Sequence, residues 1–326
     1  MKLNEYTNKI ILLLSSIFVT LLIFEVTLRI ADYSYTPLKI KVKGTVHDWR
    51  FHHSFEDKHF VYDPKLIWRP KKNYSIFNSQ GFRGKEHSKV KKANELRIFA
   101  IGDSNTLGWG KKDGPNWPMY LEELLTKTGK ICRVINAGAW GYSVFQGVER
   151  FKETLSFQPD MVLISFGAND AHLVHTSDAD FLNLRMCKFP LYKLKIGQLI
   201  IATWDKVVDK ELNTNDENLV HRVSLQEYKE HLIEIINISK ENNIICILLT
   251  RPFIGKSHNK LWWKNFAPDY VAATIETGES KGVPVIDIYS HFKGKNDYFI
   301  DESHFNEEGH KLASRILYQE IKFLLQ

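Results

Sequence analysis

The sequence predicts an α/β protein: a three-layer α/β/α sandwich on a parallel sheet of about five strands, preceded by one N-terminal transmembrane helix. Three observations predict it. Short, nearly continuous apolar runs recur from residue 91 onward. Helix-length stretches lie between them. Residues 10–24 read "IILLLSSIFVTLLIF", with neither a charge nor a helix breaker.

The N-terminal run comes first. Extended to Leu28 it takes in a single charge, Glu25, and as a helix it approaches the roughly 30 Å hydrocarbon core of a bilayer. Lys9 and Arg29 bracket it. A retained anchor over residues 1–33 is the expected reading. A cleaved signal peptide is its rival, but a cut after Ala31 would put Arg29 where a small residue is wanted. A buried soluble helix is the third alternative. Basic residues flank both sides, so charge alone does not orient the segment.

Residues 34–90 are polar and aromatic with little helical period, and read as a linker of loops and short strands. The expected domain follows over residues 91–326. Its candidate strands are 96–102, 133–139, 161–167, 244–250 and 283–289. Unbroken apolar runs of this kind suit parallel strands covered on both faces. Helical patterns over 224–242, 270–281 and 306–325 would supply the covering layers. The interval 171–223 breaks the rhythm and reads as an insertion, a lid or substrate loop. A second loop, 251–270, carries Trp262, Trp263 and Phe266, read as packing residues before ligand-stacking ones.

Composition narrows the classes. The chain has 326 residues, 44% of them hydrophobic, enough for a substantial core. A net charge of +6, from 44 basic and 38 acidic residues spread along the chain, gives no concentrated patch for nucleic acid. Three cysteines, Cys132, Cys187 and Cys246, lie far apart without a CxxC, so neither a zinc ribbon nor a disulfide framework is indicated. "GDSNTLGWG" contains neither GxxxxGK[ST] nor GxGxxG, which removes the phosphate-loop and dinucleotide readings. Asp170, His172 and His175 could begin a metal site, but nothing completes the ligand set, and no cofactor or metal is expected.

The chemistry-bearing residues fall where strands end. In an open α/β sheet ligands bind beyond the carboxyl ends of the strands. Ser104 follows the first strand, "NAGAWGYS" (136–143) the second and "FGAND" (166–170) the third. "DESHFNEEGH" places Asp301 three residues before His304 near the C-terminus. A serine hydroxyl needs a base to take its proton, and the base needs a carboxylate to set its tautomer. His304 and Asp301 can supply both. Acyl transfer also builds charge on an oxygen, which the Ser104 N–H, a glycine N–H and the Asn169 amide could receive. Asp103 is expected to hold the loop through backbone hydrogen bonds. Each motif taken alone could be an ordinary turn; their order and placement together point to a nucleophilic site.

These four blocks resemble the GDSL/SGNH hydrolase superfamily over residues 91–326. "GDSN" is similar to its first block, with Asn105 in place of the customary leucine, and "NAGAWGYS" to its second. "GAND" and "DESH" match the third and fourth. The resemblance implies a flavodoxin-like sheet, Ser104, His304 and Asp301 as catalytic residues, and an oxyanion hole of Ser104, Gly141 (rather than Gly138) and Asn169. One membrane helix and an "FNSQGFRG" passage before the domain also resemble a bacterial membrane-anchored subgroup, which implies a domain outside the cytoplasmic membrane. The expected function is a serine esterase acting by double displacement through an acyl-enzyme, removing O-acetyl or other short acyl groups from a cell-envelope glycan or other ester. Two alternatives stay open: an O-acetyltransferase that passes the acyl group to a surface polysaccharide, and a non-catalytic glycan-binding protein on the same fold. Partners expected are an ester substrate, with acetylated polysaccharide as one candidate, the membrane through the N-terminal helix, and, as a further candidate, a membrane acyltransferase; nucleic acid is not expected.

Overall fold

The computed structural model describes residues 2–33, 42–43, 58–63, 65–108, 114–174, 177–183, 194–207, 212–213, 219–254 and 263–325. The chain divides into two compact units: Met1–Phe55 with Leu182–Asp216, and Glu56–Phe181 with Glu217–Gln326.

In the first unit, α1 (Lys2–Ile30) contains the apolar run. The most apolar 18 residues of its stretch Tyr6–Ile30 have a mean hydropathy of 2.5, and the stretch is long and apolar enough to cross a membrane. The one acid inside it, Glu25, is spoken for: its carboxylate accepts from Arg29 Nε at 2.8 Å and from the Ile196 N–H at 2.9 Å. Ile196 lies in the first turn of a helix, Lys195–Val207, in the middle of the expected insertion.

The second unit begins with a hairpin, β1 (Phe60–Asp63) and β2 (Ile67–Pro70). Five parallel strands follow: β3 (Glu95–Gly102), β4 (Ile131–Asn136), β5 (Met161–Ser165), β6 (Ile245–Leu249) and β7 (Val285–Ile286). They pair in the order β7-β6-β5-β3-β4. Numbered within the sheet this is 2-1-3-4-5, the flavodoxin-like order, with its switch point between β3 and β5.

Strand parity divides the sheet residues between two helix layers. Ile98, Ala100, Met161, Leu163, Ile247 and Leu249 join one buried cluster with Leu121 and Leu125 of α2 (Trp117–Thr126). Ala313 and Leu317 of the C-terminal helix, Glu307–Ile321, belong to the same cluster. On the opposite parity, Phe99 packs edge-on against Phe82 and at a tilt against Phe157. Helices α3 (Val144–Thr154), α4 (Leu225–Glu241) and α5 (Trp263–Lys281) complete the architecture. The start of α4 follows from its sequence: Ser224 and Glu227 form a reciprocal capping box.

The sandwich, the five parallel strands and the apolar N-terminal helix are as the sequence predicts. The ends of strands differ where side chains compete with the ladder. β4 stops at Asn136, whose Oδ1 accepts the Gly138 N–H at 3.0 Å. The run 283–289 yields only two strand residues, because Asp287 caps the short helix Ile288–Phe292. The expected linker 34–90 also differs. From Glu56 it belongs to the sheet's unit, with Leu66, Trp68 and Phe77 all buried. Of the expected insertion 171–223, the part Leu182–Asp216 belongs instead with the N-terminal unit. Cys132 and Cys246 are buried free thiols, each pushed up to about 12 by burial. Cys187, Trp262 and His175 lie outside the described residues, and of Trp263 and Phe266 only the backbone is described.

Candidate active site

β3 ends at Gly102, the residue whose neighbours leave no room for a side chain. A Cβ there would lie 2.6 Å from the Ser165 carbonyl oxygen and closer still to Thr106 Oγ1. Asp103 then caps a single helical turn, Ser104–Leu107, by accepting the Asn105 N–H at 2.8 Å. The turn leaves the sheet at the switch point and puts Ser104 at its first position.

Ser104 Oγ lies 2.7 Å from His304 Nε2. His304 Nδ1 lies 2.7 Å from Asp301 Oδ2 and 2.9 Å from Oδ1. A carboxylate only accepts, so Nδ1 carries the ring proton and Nε2 is left to accept from the serine hydroxyl. Asp301 Oδ1 also accepts the N–H groups of Ser303 and His304, at 2.9 and 2.8 Å. Burial pulls the Asp301 carboxyl upward, but the bond and charge of His304 with those two N–H groups outweigh it and hold it at about 2.

The second block is tied beside the Ser104 turn by the Ala137 and Ala139 N–H groups, which donate to the carbonyls of Ala100 and Gly102. Its two glycines do different things. A Cβ on Gly138 would lie 2.6 Å from the Leu107 nitrogen, so Gly138 permits close packing on the Ser104–Leu107 turn. Gly141 has φ of +71°, in the left-handed region. Around it three successive carbonyls each accept a side-chain donor from a different part of the chain. Trp140 accepts from Trp68 Nε1 at 3.1 Å, Gly141 from Arg222 Nη1 at 2.7 Å and Tyr142 from Asn169 Nδ2 at 2.9 Å. Asn169 therefore spends one amide hydrogen on the second block and keeps the other. Asp170, beside it, accepts the Val144 N–H at 2.7 Å and the Gly167 N–H at 2.9 Å, joining the second block to the third. Its burial pushes the carboxyl up to about 7 against those two bonds. Those backbone bonds account for Asp170 as a structural acceptor, and its proposed metal-ligand companion His175 is not among the described residues.

Several residues the sequence reading passed over hold these blocks together. Arg251, two residues beyond β6, donates from Nε to Asp103 Oδ2 at 2.8 Å and from Nη1 to the Ser303 carbonyl at 2.7 Å. It thus bridges the serine turn and the histidine loop through a pair whose side chains are almost wholly buried. Asn105 Oδ1 accepts the Phe305 N–H at 3.0 Å, a second bridge between the same two loops. This gives the residue that replaces the customary leucine a role of its own. Arg83 donates to the carbonyls of Leu107, Gly108 and Gly114, closing the far end of the serine turn. Arg222 pairs with Asp178 at 2.8 Å with both side chains fully buried, and Asp178 also accepts from Ser143 Oγ. The position of Arg251 at a strand's carboxyl end was its one available signal; Asn105 and Arg83 lie in the quoted "GDSN" and "FNSQGFRG" stretches, which give no sign of these bonds, and Arg222 lies in none.

The model of the GDSL-like lipase/acylhydrolase family matches residues 100–312. The chain belongs to this family. It is by class a hydrolase of ester bonds. A crystal structure of the lipase/acylhydrolase from Enterococcus faecalis is similar in fold, with a TM-score of 0.50 and 24% identity over 70% of this chain and 95% of that one. An arylesterase of Vibrio mimicus is 33% identical over 75 residues, 23% of this chain. That match spans 38% of the arylesterase's length. The uncharacterized lipoprotein YqeF of Bacillus subtilis (strain 168) is 24% identical over 254 residues, 69% of this chain and 87% of that one.

Proposed function

We propose that this GDSL family member is a serine esterase working by double displacement, with Ser104 as nucleophile, His304 as proton carrier and Asp301 as its orienting carboxylate. The observation that carries the reading is the unbroken line from Ser104 Oγ through His304, 2.7 Å on the serine side and 2.7 Å on the Asp301 side. Ser104 Oγ attacks the ester carbonyl carbon as His304 Nε2 takes its proton. The carbonyl oxygen becomes an oxyanion received by the N–H groups of Ser104 and Gly141 and the remaining amide hydrogen of Asn169. Collapse expels the alcohol, which leaves with the proton from His304. Water then attacks the acyl-serine, giving its proton to His304, and the second collapse returns that proton to Ser104 Oγ and frees the acid.

The substrate we propose is a short acyl ester, O-acetyl foremost, on a cell-envelope glycan. The support is location: α1 is apolar enough to span a membrane, and we read it as a retained anchor with the hydrolase domain outside the cytoplasmic membrane. The test is intact-mass spectrometry of the detergent-solubilised chain after a serine-directed organophosphonate, beside Ser104→Ala treated alike. One adduct mapping to Ser104 and missing from the variant is expected. A folded protein with no adduct would return the chain to a glycan-binding role. Acetyl arriving on an acceptor sugar rather than in solution would make the enzyme a transferase of the same chemistry.

A further inference from the structure

We infer that Trp68, from the hairpin ahead of the hydrolase sheet, is a positioning residue that aims the Gly141 N–H at the reacting oxygen. The inference deepens the proposed esterase reading and rests on it.

A peptide unit is planar, so the direction of one residue's C=O sets the direction of the next residue's N–H on the opposite side. The carbonyl of Trp140 and the N–H of Gly141 belong to one such unit. Trp68 Nε1 donates to that carbonyl at 3.1 Å, and so fixes which way the Gly141 N–H points. Glycine needs this help more than any other residue. With φ at +71° and no Cβ, rotating the preceding peptide meets little steric resistance. A rotated peptide would present a carbonyl oxygen where a donor is required. Arg222 secures the following peptide by donating to the Gly141 carbonyl at 2.7 Å, so the glycine is held on both sides. A hydrogen bond accepted by a carbonyl also polarises its amide and makes the N–H a better donor.

Trp68 is itself held still. Its side chain is buried, its own carbonyl accepts from Tyr142 Oη at 2.8 Å, and its ring lies edge-on to that of Tyr142. The Arg222 guanidinium sits 5.8 Å from the Trp68 ring centroid. The indole N–H is therefore one corner of a closed cluster around the loop that carries Gly141. A ring chosen for packing alone could be phenylalanine; the bond to Trp140 needs the indole nitrogen.

Trp68→Phe keeps an aromatic ring and removes the donor. Losing a whole oxyanion donor costs on the order of 10²–10³ in kcat, so misaiming one should cost about 10-fold. The expected result with p-nitrophenyl acetate is that fall in kcat with KM changed less than about threefold, and a parallel weakening of phenylboronic acid inhibition. A folded Trp68→Phe protein with wild-type kcat and wild-type boronate affinity would overturn the inference. It would leave the esterase reading intact, since that reading fails only if Ser104→Ala retains turnover or Ser104 takes no phosphonate. Should the variant not fold, the wild-type protein decides by NMR. The Gly141 amide proton should move downfield on addition of phenylboronic acid while the Trp68 indole proton exchanges slowly. An unmoved Gly141 signal, or rapid exchange at Trp68, overturns the inference equally.

Discussion

In the proposed site the carboxylate against His304 comes from three residues away, whereas the peptides around Gly141 are held by side chains 72 and 81 positions distant. The side proposed to carry the proton is a local structure. Two backbone N–H groups and one ring nitrogen converge on Asp301 within a single turn, while Arg251 and Asn105 anchor the same loop from afar through Ser303 and Phe305. The side proposed to receive the oxyanion is a tertiary structure. Its glycine is free to rotate, and rigidity reaches it from the β1–β2 hairpin, from the far side of the insertion and from the third block. A short-range motif can thus orient an imidazole, while a flexible donor loop needs the assembled fold to aim it.

The largest effect expected from breaking either side is at Ser104. Ser104→Ala should lower ester turnover by on the order of 10⁴–10⁶ with circular dichroism unchanged, since removing a nucleophile disables the whole constellation. Near-wild-type rates would show that the reactive group lies elsewhere. On the oxyanion side, Arg222→Met leaves the Asp178 carboxylate buried without its cation. That should cost about 3–5 kcal/mol in a denaturant titration, and adding Asp178→Leu should restore part of it. A loss under 1 kcal/mol would mean the pair is not buried as described. Asn169→Ala should slow turnover by on the order of 10² through loss of a donor to the oxyanion. A change of only a few-fold would leave Asn169 as nothing more than a tie to the Tyr142 carbonyl.

The smallest effect sharpens the comparison by pH. Asp301 is held at about 2, below its ordinary 3.8, so its contribution to stability is present above 3.8 and is lost as pH falls toward 2. Asp170 runs the other way. Held up at about 7, it favours the folded state fully below 3.8, and that contribution is lost as pH rises toward 7. Melting temperature followed from pH 4 to 7 should therefore fall less steeply in Asp170→Asn than in wild type. Parallel slopes in the two proteins would refute the assignment of Asp170 as a buried, proton-retaining group.

The sheet was legible because each strand is an unbroken apolar run, and because helix-forming stretches between such runs force a parallel arrangement. What moved the strand ends was side-chain chemistry at Asn136 and Asp287, where a polar group takes a backbone N–H that a ladder would have used. Ser104, Asn169, Asp301 and His304 were legible because each stands in a short motif at the end of an element. Gly141 could be told from Gly138 only through family resemblance; in the structure their surroundings separate them. Trp68, Arg251 and Arg222 carried no such mark. Their partners lie 72, 148 and 81 positions away, and a lone tryptophan or arginine has no local period to announce a buried bond.

The sequence by itself determined the order of elements, the apolar helix at the N-terminus and the chemistry of the four blocks, because these depend on neighbours a few residues apart. Only the tertiary structure decided that the hairpin after Glu56 belongs to the hydrolase unit and that Trp68 reaches the Gly141 peptide. A hydrogen bond across 72 residues exists only once the intervening chain has folded and brought donor and carbonyl to 3.1 Å.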